Sequence, residues 1–319
     1  MTVQTRMVIS LKEHPLLLTR IAALAGMMTV FGTVWPVLFH GGSAVGELLV
    51  RTHEVEAAGD ADFEAMMEAD LYGETGEVSE PVTERDPASI AEHVSLLRDL
   101  DRGVAILCLL LAVGLPFLCR KWPKVAWLYL LPAVWLLMNA HAGAMNGGKA
   151  FAELAVPAQA TRWGMFVVLA LLLSRNAQTD CIANWVLRIA CALTFAIHGW
   201  EAFQLSPPFQ DLLYATFGHV EIGLSESACH GLLRAIGMMD LLLAVGVTAI
   251  HFRPLLLWMG CWGLITAASR PIAMGFDAWP EFAMRLPNSA APLLVVLLGM
   301  PAAFSLSPSK ITTQQEPAT

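Results

Sequence analysis

Residues 188–203 read RIACALTFAIHGWEAF. The stretch is apolar enough to cross a lipid bilayer, yet it carries Arg188, His198 and Glu201. An ionisable side chain at the centre of a spanning helix costs roughly 2.5–3.5 kcal/mol on insertion scales, so such groups turn toward one another or toward a cavity. Whether these three mark the edge of a span or line a site decides how the rest of the chain is read.

The surroundings favour a span. Of 319 residues, 56% are hydrophobic and only 14% charged, against about 25% charged in a soluble domain. A spanning helix needs about 20 predominantly apolar residues. Eight segments qualify, at 18–39, 103–119, 124–141, 158–174, 182–203, 228–250, 254–273 and 290–306. The fold class is therefore all-α, an integral membrane protein of eight transmembrane helices. A cleaved signal peptide is the alternative reading of the first segment, but its leading region is long. Lysine and arginine concentrate on the cytoplasmic side of short loops. RKWPK at 120–124 marks that side, with Arg175, Arg253, Arg6 and Lys12. Both termini then face the cytoplasm, and the acidic insert 40–102 and the cation-free connection 204–227 face out. Residues 1–17 form a cytoplasmic N-terminal segment, and 307–319 read as a disordered cytoplasmic tail.

An internal repeat organises the spans. RIAALA at 20–25 echoes RIACAL at 188–193, and LLLAVGL at 109–115 echoes LLLAVGV at 241–247. The repeat predicts two parallel four-helix bundles, 18–174 and 182–306, related by an axis along the membrane normal. Arg20 and Arg188 become equivalents that snorkel to lipid phosphate. His198 and Glu201 have no counterpart, since Val30 and Gly32 or Thr33 stand at the matching positions.

Counting along the helices places several polar residues in one layer near the outer surface. His198 and Glu201 share a face at i, i+3, and His230 and Arg234 at i, i+4. Arg270 lies near the outer end of the seventh span, and His141 ends the third at a similar level. The layer predicts a polar pocket, with interface residues pairing with headgroups as the alternative. Asp240 stands apart near mid-bilayer with no cation in obvious reach, and a substrate or proton-relay role is open to it. A bis-histidine b-type haem would need two histidines on facing helices, and His198 with His230 or His141 is the pair on offer. No C-x-x-C-H exists for a covalent haem, and no lysine in the seventh span for a retinal Schiff base.

Other features carry less. Residues 45–101 hold sixteen acids against three arginines. Within them Phe63, Met66, Met67 and Leu71 have helical spacing, and Asp86-Pro87 reads as a cap and first turn. The insert is a solvated cap or a docking face for a membrane or periplasmic protein partner. HEVE at 53–56 is too weak a signal for a metal, and no metal site is expected. GAMNGGKA at 143–150 lacks the Ser or Thr of a phosphate loop and reads as a tight turn. Six cysteines form no C-x-x-C pair. An acidic chain without a basic stripe is no nucleic-acid binder.

RIACALTFAIHGWEAF and GLLRAIGMMDLLLAVG together resemble the DoxX-like four-helix membrane family, over 182–306 directly and over 18–174 through the repeat. The resemblance implies a redox-associated, quinone- or thiol-linked membrane subunit in the cell membrane, with quinone favoured over haem as cofactor. On that reading His198 accepts a proton, Glu201 orients or relays it, and Arg234 and Arg270 set the field, with His230, Asp240 and His141 as substrate contacts. The rival readings are a small-molecule or lipid transporter or binder, and a scaffold that docks a partner through its acidic insert. The sequence leaves open whether the protein is an enzyme at all.

Overall fold

A computed structural model describes residues 14–51, 87–147, 150–174, 177–250 and 252–299. The insert residues from Phe63 to Asp86, the HEVE stretch, Arg175 and the C-terminal tail lie outside these. The described chain is all-α, with eight helices long and apolar enough to cross a membrane. It is a multi-pass membrane protein, and lipid covers its outer surface. Leu110, Phe117, Leu242 and Val245 stand on that surface, each about two-thirds exposed.

In chain order the helices are α1 (His14–Phe39), α2 (44–51), α3 (Pro87–Lys121), α4 (Leu130–Asn146), α5 (Ala155–Ala158), α6 (Ala160–Leu173), α7 (Ala177–Phe203), α8 (Pro207–His219), α9 (Glu226–Ala249), α10 (Arg253–Met274), α11 (Trp279–Ala283) and α12 (Leu286–Leu298). A 3-10 turn, Pro123–Tyr129, leads into α4, because Pro123 opens it with φ already helical and no amide to satisfy. The 35 residues of α3 span ~52 Å at the helical rise, well beyond the ~30 Å hydrocarbon core. Its first turns therefore project past the membrane, and 91–100 are largely exposed.

Two boundaries differ from those read in the sequence. The eighth span was placed at 290–306, but α12 begins at Leu286 and ends at Leu298. Asn288 and Ser289 count against a span in a hydropathy window, yet both are buried against protein. Residues 300–306 lie outside the described chain. The connection 204–227 is no plain loop either, since it contains the whole of α8.

Helix pairing follows one pattern in each half. α1 packs on α3 and α6, and α4 on α6; α7 packs on α9 and α12, and α10 on α12. Across the halves α1 meets α12 and α6 meets α7. One continuous core results, reaching from Val30 and Leu115 to Leu256 and Leu294. A buried polar seam crosses it. Thr161 Oγ1 donates to Asn288 Oδ1 (2.6 Å), and Thr194 Oγ1 accepts from the Thr161 amide (3.2 Å). That amide is in the first turn of α6, where no intrahelical acceptor exists, so the seam satisfies a group that lipid could not.

The tightest contacts are made through glycine. A Cβ on Gly237 would meet Gly199 O and Phe203 N at 2.6 Å, and one on Gly199 would meet Asp240 Cβ and Gly237 O at 2.9 Å. α7 and α9 thus touch backbone to backbone, the close approach that small residues permit in lipid. Gly263 likewise lies 2.5 Å from Asn288 O by the same construction, which brings α10 against α12. Gly147, at φ +64, ends α4; the first four residues of GAMNGGKA belong to that helix rather than to a turn, and 148–149 lie outside the described residues.

Asp101, one of the acids of the 45–101 stretch, has a structural role. Buried on α3, it accepts from Ser43 N and Ser43 Oγ, both at 2.6 Å, at the N-terminal end of α2. A carboxylate there satisfies free amides and complements the helix dipole.

Gly237→Val should force α7 and α9 apart and cost about 1–3 kcal/mol or more, the range for overpacking. Gly114→Ala, with nothing within 4 Å of the added carbon, should be neutral or slightly stabilising. Thermal unfolding of the two variants in one detergent checks the contrast.

Candidate functional site

The glycine crossing of α7 and α9 sets His198 and Asp240 beside one another, because Gly199 packs against Asp240. α10 and the start of α12 complete the enclosure, and α8 lies across it. The result is a cavity of about 240 Å³. Its wall is mostly apolar, with Phe195, Leu233 and Ile236 among the contributors, and it is open on one side.

α8 is built for this position. Ser206 precedes Pro207 and Pro208, a start signal in which the prolines occupy positions needing no amide bond. Phe209, Leu212, Leu213 and Thr216 then recur at helical spacing, and all four line the cavity. Side chains tie the helix down at both ends. Gln210 Nε2 donates to Leu205 O (2.6 Å), and His230 Nε2 donates to Gln210 Oε1 (3.1 Å). His219 Nε2 donates to Ala273 O (3.1 Å) at the far end of α10.

Three of the six polar residues expected in one layer are brought to this region. His198 lines the cavity, and its Nδ1 donates to Glu201 Oε2 at 3.2 Å. With the proton on Nδ1, Nε2 of a neutral ring is an acceptor. Glu201 is not on the wall, but its charge reaches Arg270, which is. Asp240, which the sequence placed apart from the layer, lines the same cavity.

The other three lie elsewhere. Arg234 is exposed on the lipid-facing side of α9, because the cavity face of that helix runs through Leu233, Ile236 and Asp240. His230 is held by Gln210 and stands 3.9 Å from Glu226, off the cavity wall. His141 is exposed on α4, which packs on α3, α5 and α6 in the other half.

Arg188 is a correction. It does not snorkel to phosphate, and it is not the equivalent of the exposed Arg20. It is 7% exposed, its Nη1 donates to Val247 O at 2.9 Å, and its guanidinium lies 5.8 Å from the centre of the Trp185 ring. It caps the C-terminal turn of α9, where free carbonyls and the helix dipole attract a cation.

Residues not singled out from the sequence complete the site. Arg285 lines the cavity, and its Nη1 donates to Glu281 O (2.9 Å) and pairs with Glu281 Oε2. Arg162 stands behind it, donating to Gln159 Oε1 at 3.2 Å, within the field of Arg285, Glu281 and Arg270. Three guanidinium groups therefore share a neighbourhood with two carboxylates, Glu201 and Glu281. The α8 pattern was visible as FQDLLYATF after SPP; the arginines were visible only as residues near span ends.

Three buried polar atoms of the wall are incompletely bonded: Asp240 Oδ1, Trp262 Nε1 and Arg270 Nε. Trp262 and Asp240 face each other as donor and acceptor, short of full hydrogen-bond geometry. Buried polar groups are paired in the great majority of cases; Tyr129 Oη, Asn146 Oδ1 and Asn184 Oδ1 are also unpaired, but on different elements, whereas these three gather on one wall. Among the described residues no group of three or more histidine, cysteine or acidic side chains is placed to hold a metal, and four of the six cysteines are buried.

No family model matches the chain, and neither a curated protein nor a solved structure matches it. The class that fold and hydropathy define is a multi-pass membrane protein.

Asp240 is only 6% exposed and incompletely bonded. A side chain kept at the expense of stability is expected where function needs it. Asp240→Leu, close in size and free of the unsatisfied oxygen, should raise stability by about 1–3 kcal/mol. A lower unfolding midpoint in detergent would show instead that the carboxyl holds the fold together.

Proposed function

We propose that this protein binds a small lipophilic molecule within the membrane, in the cavity walled by α7, α9, α10 and α12 and covered by α8. The observation that carries the reading is the conjunction of an apolar wall with three incompletely bonded polar atoms, Asp240 Oδ1, Trp262 Nε1 and Arg270 Nε. Ligand sites are commonly apolar concavities with a few convergent polar groups that fix orientation. The cationic residues around 120–124 set the cytoplasmic end by the positive-inside preference. On that reading the cavity lies toward the outer leaflet of the cell membrane, with both termini cytoplasmic. The echoes RIAALA/RIACAL and LLLAVGL/LLLAVGV, together with the alike pairing of helices in the two halves, support a duplicated four-helix unit whose second copy acquired the site.

A redox-associated subunit, as the DoxX-like resemblance implies, is the second reading. It is favoured by His198, which stands on the cavity wall with its Nδ1 held by Glu201, the arrangement a proton acceptor needs. A quinone is itself a small lipophilic molecule, so both readings use one cavity. Arg234, His230 and His141 have no part in either.

Binding of radiolabelled decanol to the purified protein tests the first reading. Leu213→Trp, which fills the cavity from α8, should weaken that binding at least tenfold while leaving the fold intact by size exclusion. Unaltered binding would remove the cavity from consideration. His198→Ala separates the second reading, since it should spare decanol binding and abolish quinol-dependent electron transfer in membranes only if the site is a redox one.

A further inference from the structure

The charges at one end of the cavity do not cancel. Arg162, Arg270 and Arg285 act on one another and on Glu281, and Arg270 also on Glu201, so three arginines meet two glutamates, a formal excess of one positive charge. Glu281 is engaged by Arg285 through both its backbone carbonyl and its carboxylate. Glu201 is engaged by His198. Arg270, on the wall, keeps Nε without a partner. An uncompensated guanidinium beside lipid is costly, and the field it makes in a low-dielectric surround is strong. The group that relieves both is an anion. Guanidinium presents a planar fork of donors that matches carboxylate and phosphate oxygens.

The opposite end of the cavity excludes the same group. Asp240 and Trp262 lie there, and Trp262 precedes Arg270 by eight residues on α10, ~12 Å along the helix. A carboxyl at that depth repels a second anion whenever it is ionised, and it gives a neutral hydroxyl or amide a partner. Between the ends the wall is apolar, with α8 supplying Leu212 and Leu213. The cavity is thus polarised along its length.

We infer that the cavity selects an amphiphile whose head group is an oxyanion, held by Arg270 and Arg285, with its chain lying along the apolar wall toward Asp240 and Trp262, which offer partners to a neutral polar group at its far end and none to a second anion. The inference rests on the ligand-binding reading of the cavity and adds the chemical class and orientation of the ligand. A neutral lipophile leaves the excess charge uncompensated, and a cationic one is repelled. The oxyanion is either a free carboxylate or the phosphate of an anionic lipid, which present the same oxygens to the two arginines.

The experiment compares radiolabelled decanoate with radiolabelled decanol, two chains of one length that differ in the head. Wild-type protein in phosphatidylcholine nanodiscs, at a pH where decanoate is ionised, should bind decanoate at least tenfold more tightly than decanol. Arg270→Gln should remove that preference while decanol affinity stays within twofold, and Arg270→Lys should restore part of it. Retained decanol binding shows that the glutamine variant is folded; if it fails to fold, the wild-type preference and its loss at high salt decide instead. Adding phosphatidylglycerol to the nanodiscs should displace decanoate if lipid phosphate is the natural head group, and leave it bound if a free carboxylate is. Equal affinity for the two probes in the wild type would overturn the oxyanion and leave the cavity reading standing. Binding of neither would overturn both.

Discussion

Everything distinctive about the second half of this protein depends on the backbone contact between Gly199 and Gly237. Within lipid, helices gain little from burying apolar side chains against each other, because lipid is as apolar as leucine. Close approach of two backbones supplies the packing instead. That approach is possible here because neither helix carries a Cβ at the crossing, where one would sit 2.6–2.9 Å from backbone of its neighbour. Once α7 and α9 are locked in this way, the positions flanking the glycines have no freedom of direction. His198 precedes Gly199 and Asp240 lies one turn beyond Gly237, so both are delivered to one cavity wall. Arg188 holds the same pair together at the other end, through Val247 O.

The cavity combines two features that work against stability. Its wall contains incompletely bonded buried polar atoms, and its rim gathers three arginines around two glutamates. Elsewhere several buried polar groups are closely paired, although Tyr129 Oη, Asn146 Oδ1 and Asn184 Oδ1 also lack a partner. Thr161, Thr194 and Asn288 satisfy one another across the centre, and Asp101 accepts twice from Ser43. What sets the cavity apart is that three such atoms gather on one wall. A cluster of incompletely bonded atoms around one apolar space supports the ligand-binding reading of that space.

Much of the fold was legible in the sequence because the bilayer imposes length and hydropathy directly. Seven of the eight spans begin and end within a few residues of where their apolar runs placed them, apart from the extension of α3. The eighth slipped because Asn288 and Ser289 are buried in protein, where hydropathy has no knowledge of a partner. α8 was missed for a related reason: a short helix that covers a cavity is neither long nor apolar enough to register as a span, although its turn residues and its i, i+3, i+4 spacing are plain. Of the candidate residues, depth along a helix was readable and direction was not. Arg234 and Asp240 are both on α9, and only the angle around the helix axis separates one exposed to lipid from one lining the cavity.

Composition and the periodicity of apolar runs alone determined that this chain crosses a membrane through helices and how many such helices the described residues hold. These are one-dimensional properties, set by the thickness of the hydrocarbon layer and the rise of the helix. Only the tertiary structure decided which faces meet. The union of the two halves in one core, the arrival of Arg285 and Arg162 beside Arg270, and the conversion of Arg188 from a presumed lipid anchor into a helix cap all depend on rotation about helix axes. That rotation is set by where side chains are absent, at Gly199, Gly237 and Gly263, and no property of a single helix reveals which neighbour will fill the gap.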